Sequence, residues 1–490
     1  MRYNGFMVSE SGVLARNTSY FTLALVAQKV ISFLYFTFLA RILGPAVVGK
    51  YVLALAITTI FSVLIDLGLA SVLTREVAKQ PDRAQEYFGQ VIGFKSIVSL
   101  LVVGLVVATV NIIGYPESTR QLVYLASAVM VLDSFTLSVY STIRGFQNLL
   151  WESIGTILMQ VTVAVIGWLV ASFTHDLRML MAALIIAAAT NAVYALTKIK
   201  SRYRLSWRPI FSWAGWRHLA RLSWPFAAAA ILTRVYGYID SVLLSLLAND
   251  TAVGIYSVAY KLTFALQFIP SALAASLFPG LSFYFSYLPE KLEQTFSYAV
   301  VYLSAIALPI SIGLIILAEP VITAVYPAYD NSILPLQILM ASLVFLFLTF
   351  PIGSLLPACN RQVRHTLNIA VATVLNVALN LYLIPRFGVA GAAMASLVST
   401  VVLFGLGWAV VVKIIVLNKR FLWLRLSRVA LAGIIMGLTI WQISSQVNLA
   451  ISILFSGLVY AGALVVLGGV TTEEIKNLFK ILRTRTGFRP

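Results

Sequence analysis

Two cations stand in the middle of apolar stretches, Lys29 in FTLALVAQKVISFLYF and Arg234 in FAAAAILTRVYGYIDSVLL. An ionised side chain at mid-bilayer costs about 2.5–3.5 kcal/mol on insertion scales. Such a group must face a water-filled cavity or a partner. Gln28, Ser32 and Tyr35 flank Lys29 at helical spacing and draw a polar stripe on an otherwise apolar helix. Gly237, Tyr238 and Ser241 continue the face of Arg234. Cations held at this depth offset the desolvation of an anion. Arg can grip oxyanions bidentately, and Lys acts as a point charge.

Other deep charges have competing readings. Asp240 and Lys261 fall on consecutive spans and can pair between helices; alternatively Lys261 contacts cargo and Asp240 serves as counter-ion or coupling acid. Asp133 lies mid-span, as a counter-ion for Lys29 or as a site of proton or sodium coupling. Lys95 sits about two turns inside its span, so the spacing predicts that it snorkels to the surface and that Lys95→Ala does little. Asp66 reads as a helix-end residue.

The elements that carry these charges are duplicated. Residues 39–73 and 244–278 align without gaps. The pairs Val48/Val253, Gly49/Gly254, Tyr51/Tyr256, Ala54/Ala259, Thr58/Thr263, Ala70/Ala275 and Ser71/Ser276 are identical. The same offset of 205 residues places Lys29 opposite Arg234. A duplicated membrane chain with a matched cation in each half suggests a transporter with a central, cation-lined path.

Composition fixes the class. The 490 residues are 60% hydrophobic and 11% charged, with mean hydropathy +0.93. Soluble domains carry roughly 25% charged residues. The expectation is an all-α integral membrane protein, since a β-barrel would show short alternating runs. One cysteine, Cys359, and three histidines leave no disulfide framework and no clustered metal signature. No metal or other cofactor is expected. The first polar stretch leads into a span broken by Gln28 and Lys29, which argues against a cleavable signal peptide.

Fourteen spans are read: 18–40, 46–70, 89–113, 119–143, 152–174, 177–198, 219–247, 252–280, 293–318, 332–356, 363–384, 389–414, 422–443 and 447–470. One alternate set of loops, with both tails, holds 26 of the 35 Lys and Arg, and the opposite set holds five. The net charge of +18 therefore reads as positive-inside bias with both termini cytoplasmic, not as a nucleic-acid footprint. The repeat covers six spans, so its copies enter the membrane in the same direction. The expected layout is two pseudo-symmetric six-helix lobes, 1–198 and 219–414, joined by a basic linker, 199–218. Two further spans fill 415–470, and a cytoplasmic amphipathic tail fills 471–490, opened by a Thr471/Glu474 capping box. Trp207, Trp213 and Trp216 suit a linker lying at the headgroup level. Pro225, Pro270, Pro309 and Pro351 interrupt second-lobe spans as kinks or hinges. Gly388 and Gly391 read as close-packing positions.

Several segments resemble polysaccharide, or O-antigen-type, flippases. ARILGPAVVGKY followed by DLGLASVLTREVA resembles that family's first helical hairpin. So do Ile239–Ser282, Leu367–Ser399 and Arg144-Gly145-Phe146-Gln147 at their places in the family's order. The superfamily also holds multidrug exporters and lipid II flippases. The resemblance implies movement of a polyprenyl-diphosphate-linked oligosaccharide from the cytoplasmic to the outer leaflet of the cell membrane by alternating access. Lys29, Arg234 and Lys261 would then be lumen cations for the diphosphate, with Gln28, Ser32, Tyr35 and Tyr238 as polar lining. Implied partners are the lipid-linked cargo, membrane lipids and glycan-assembly enzymes, with the protein itself a monomer.

Two other classes are set against this reading. A multidrug-type cation exporter calls for an acid-rich cavity, and Asp133 is the only deep acid of the first lobe. A glycan polymerase or glycosyltransferase needs acids or bases gathered on a sizeable loop. The outer loops are short and offer only scattered Glu117, His175, Asp176, Asp250, Glu319 and Asp330. No nucleophile–base constellation is seen, and an enzyme is not expected.

Overall fold

The computed structural model describes residues 10–174, 176–444, 447–470 and 474. The regular structure among those residues is helical, without a strand. Among the described residues, twelve helices are long and apolar enough to cross a membrane. Two are double lengths: α1 (Glu10–Asp66) turns at Gly44 and α13 (Gln362–Ile414) turns at Gly388. Both glycines have positive φ, 74° and 56°, a conformation that a side chain would strain. Pro45 follows the first turn and suits the opening of a new helix. Divided at these glycines, the helices give the fourteen expected spans. The helix expected over 471–490 lies outside the described residues, Glu474 apart.

The chain forms two compact units, residues 1–257 and 258–490. The boundary falls inside α8 (Asp250–Leu266) and not in the basic linker.

The first unit holds α1, α2 (Leu69–Lys79), α3 (Ala84–Ile113), α4 (Glu117–Gly145), α5 (Leu150–Phe173), α6 (Leu177–Tyr203) and α7 (Trp213–Leu247). One apolar cluster of its core joins Val72 and Leu73 of α2, Phe88 and Ile92 of α3, and Val139 and Ile143 of α4. Leu100, Leu101 and Ile112 of α3 point outward as exposed aliphatics, the arrangement of a helix that faces lipid.

The linker between α6 and α7 is not a free connector. The Ile210 amide donates to the Gly89 carbonyl at 2.9 Å, and Trp216 Nε1 donates to the Gln90 carbonyl at 3.0 Å. Gln85 exchanges two hydrogen bonds with the Ser206 backbone, at 2.8 and 3.0 Å. Gly89 and Gly93 make the groove that admits this strap. A Cβ on Gly89 would stand 2.7 Å from the Arg208 carbonyl oxygen, and one on Gly93 would stand 2.5 Å from that of Ile210. Trp207 packs on Phe88 and Phe135. Gly93→Val should therefore displace the strap and cost about 1–3 kcal/mol. Faster proteolysis between residues 204 and 212 in the purified variant is the check; a wild-type digestion pattern contradicts it.

The second unit holds α9 (Phe268–Tyr287), α10 (Pro289–Ile316), α11 (Ala318–Val325), α12 (Ile333–Ala358), α13, α14 (Lys419–Ile443) and α15 (Leu449–Val466). Pro309 and Pro351 lie inside α10 and α12, and Pro270 sits just past the break between α8 and α9. The last two helices dock on α10: the Tyr460 hydroxyl donates to the Ala305 carbonyl at 2.7 Å. Arg425 of α14 donates to the Gly468 and Gly469 carbonyls and pairs with Glu474 at 3.2 Å. Leu454 and Leu458 of α15 stay outward-facing.

Candidate functional site

The duplication is visible as repeated chemistry. Thr58 donates to the carbonyl of Ala54, four residues back, at 2.9 Å. Its counterpart Thr263 donates to Ala259 at 3.0 Å. Both members of each bond belong to the repeat. Tyr256 donates to Asp240 at 2.7 Å. In the first copy the equivalent positions, Tyr51 and Tyr35, lie beside each other. The repeat-equivalent glycines meet within the first unit. A Cβ on Gly49 would overlap the Asp250 carbonyl oxygen, and a Cβ on Gly254 would overlap the Pro45 carbonyl oxygen. Two helix starts, after Gly44 in α1 and at Asp250 in α8, thus approach backbone to backbone.

A cavity of about 290 Å³ opens in the first unit between α1, α4 and α7. Thr58, Thr59, Ser62 and Asp66 line it from α1, Asp133 and Ser134 from α4, and Arg234 from α7. Leu55, Ala126, Val129, Met130 and Leu137 supply apolar wall. The volume is at the small end for ligand pockets. Asp133 and Arg234 are both exposed to it.

Lys95 overturns its sequence reading. It does not snorkel to a surface. It is 0% exposed, with Nζ 2.7 Å from Asp66 and 2.9 Å from the Ser134 carbonyl oxygen. Asp66 is correspondingly more than a helix-end residue: it is the counter-charge of a buried lysine and also lines the cavity. A buried cation survives only when paired and hydrogen-bonded, and here one carboxylate and one carbonyl meet that need. Sequence inspection missed the pair because its members are 29 residues apart on different helices.

The other predicted residues are not among those that line this cavity, Asp133 and Arg234 apart. Lys29, Gln28 and Ser32 are half-buried in the first half of α1 and are not among the residues that line the cavity. Tyr35 is buried, its ring over Gly167 of α5. Tyr238 is half-buried. Asp240 is 5% exposed and accepts from Tyr256, a partner the sequence reading did not consider. Lys261 belongs to the second unit and is half-buried. Of the three predicted cations, the cavity receives Arg234. The acidic side of the cavity is partly legible in sequence, because Asp133 interrupts an apolar span. The hydroxyls of Thr58, Thr59, Ser62 and Ser134 could not be told from ordinary helix residues.

Exposed aliphatic faces, internal duplication and a charged cavity between helices define a multi-pass membrane transporter. The chain belongs to the polysaccharide biosynthesis protein family, whose model matches residues 14–285. It is 25% identical over 478 residues to a probable low-salt glycan biosynthesis flippase, Agl15, of Haloferax volcanii, covering 96% of this chain and 99% of that one. Its fold matches the lipid II flippase MurJ in an inward closed conformation with a TM-score of 0.74 at 14% identity, covering 91% of this chain and 97% of the other. An inward-facing multidrug resistance transporter of the MATE family matches with a TM-score of 0.61 at 14% identity, over 80% of this chain and 98% of that chain.

Proposed function

We infer that this protein is a flippase that carries a lipid-linked oligosaccharide from the cytoplasmic to the outer leaflet, with Arg234 as a ligand of the diphosphate head group. The observation that carries the reading is Arg234 exposed in a polar cavity within the membrane span of a chain of this family. An arginine there offsets the desolvation of an anion and grips its oxygens bidentately. The name of the Haloferax relative, a glycan biosynthesis flippase, supports the cargo class.

The expected movement is rocking of two six-helix lobes, 1–198 and 219–414, with both termini cytoplasmic. The diphosphate and glycan pass inside while the lipid tail stays in the bilayer. Lys29 and Lys261 are further cation candidates along that route. The short outer loops leave chemistry on the glycan to partner enzymes.

The test is mass spectrometry of membrane lipids after deletion of the gene. One polyprenyl-linked oligosaccharide should accumulate while the matching surface glycan disappears. Re-expressed Arg234→Ala should restore less than about a tenth of wild-type export, the effect of losing one charge-assisted contact worth roughly 1.5–3 kcal/mol. An unchanged lipid pool, with drug or cation sensitivity instead, would turn the assignment to an exporter.

A further inference from the structure

The cavity contains more acid than an anion site needs. Asp66 and Asp133 both line it, opposite a single exposed cation, Arg234. The two acids are not equivalent. Lys95 is committed to Asp66 at 2.7 Å and is wholly buried, so Asp66 is already neutralised. Asp133 makes no hydrogen bond or ion pair among the described residues, and its carboxylate is open to the cavity. Its neighbour Ser134 is 6% exposed, and the Ser134 hydroxyl is buried without a hydrogen-bond partner.

Among the described residues the cavity wall carries no charged group besides Asp66, Asp133 and Arg234. On α1 the cavity wall adds only the hydroxyls of Thr58, Thr59 and Ser62 beside Asp66, and Lys29 is not part of that wall. From α3 the group facing α4 here is Lys95, spent on Asp66 and on the Ser134 carbonyl. The remaining elements engage α4 further along. Thr74 of α2 donates to the Ser141 carbonyl, Tyr140 donates to Asn191 of α6, and Arg144 pairs with Glu152 of α5. From α7 the cavity receives Arg234.

We propose that Asp133 takes up a proton when a diphosphate binds at Arg234 and gives it back when the diphosphate leaves. The proposal rests on the diphosphate reading of Arg234. In the empty cavity an ionised Asp133 balances Arg234. An arriving diphosphate replaces that balance with like-charge repulsion in a space walled by Leu55, Val129 and Met130. Protonation removes one negative charge, and the neutral carboxyl can donate a hydrogen bond to a phosphate oxygen. The proton comes from water in the cavity and returns there on release. No covalent bond is made or broken. Linkage fixes the sign: binding that takes up a proton tightens as pH falls and loosens as pH rises. Asp133 thus works as a release device, its negative charge repelling the diphosphate from the cavity once it is ionised.

The experiment is isothermal titration of farnesyl diphosphate into the full-length protein in detergent. It is run in two buffers of different ionisation enthalpy, on wild type, Asp133→Asn and Arg234→Ala. The difference between wild type and Asp133→Asn cancels the ligand's own protonation. The expected result is up to one additional proton taken up by wild type. Wild-type affinity should also weaken more steeply with pH than that of Asp133→Asn, by as much as about tenfold per pH unit. Equal uptake and equal pH slopes in the two proteins overturn the proposal. Binding by Arg234→Ala as tight as by wild type overturns instead the diphosphate reading on which it rests. Asp133→Ser is the second variant if Asp133→Asn expresses poorly, with the same two outcomes.

Discussion

Lys95→Ala should lose about 3–5 kcal/mol of stability, the usual consequence of removing one member of a buried ion pair. Asp66 would lose its counter-charge, and the Ser134 carbonyl would lose one of its donors. The void left by a fully enclosed side chain adds to the loss. The pair ties the end of α1 to α3 and α4, so the effect should be global. Thermal unfolding of the purified protein in detergent is the check, with Asp66→Asn and the double variant completing a cycle. Lys95→Met combined with Asp66→Leu should recover much of the loss, because a matched apolar pair leaves no unpaired charge. If Lys95→Ala unfolds at the wild-type temperature, the burial of this pair is wrong. The expectation drawn from span depth, that this substitution is nearly silent, is superseded by the lysine's complete burial.

Gly49→Val should abolish transport while leaving a folded, membrane-inserted protein. The physical cause is the backbone contact between two repeat-equivalent helix starts. Any side chain at Gly49 collides with the Asp250 carbonyl, and any side chain at Gly254 collides with that of Pro45. Backbone atoms cannot yield as the end of a flexible side chain can. Overpacking ordinarily costs about 1–3 kcal/mol. Here that cost falls on the conformation in which the two starts touch, so the equilibrium shifts away from it. Gly254→Val should behave alike, and the double variant should be little worse than either single one, since both open the same contact. Glycan export at wild-type level from Gly49→Val, at matched expression, would show that this contact is not required in the transport cycle. Gly104, with no atom near its missing Cβ, is the control: Gly104→Ala should leave transport unchanged.

The duplicated stretch shows how far sequence reading reached. Identity at Gly49/Gly254 and Thr58/Thr263 was legible because duplication preserves residue type at a fixed offset. What each pair does was not legible. The threonines turn back on their own helices, whereas the glycines meet across elements. The same distinction applies to the charges. Lys29, Lys95 and Arg234 look alike in sequence, each a cation inside an apolar run. In the fold one is half-buried on α1, one is sealed against Asp66, and one opens into a cavity. Insertion cost announces that a buried charge needs a partner, but not which residue supplies it.

The sequence by itself determined that the chain is a helical membrane protein, where its spans fall, that it is duplicated, and which charges demand explanation. Hydropathy and the need to satisfy backbone polar groups within each span act locally, so a linear reading captures them. Tertiary structure alone decided that Asp66 pairs with Lys95, that Asp240 accepts a hydrogen bond from Tyr256, that the linker lies along the Gly89–Gly93 groove, and that Asp133 and Arg234 share a cavity. Those pairings depend on helix rotation and crossing, which are set by packing between elements far apart in the chain.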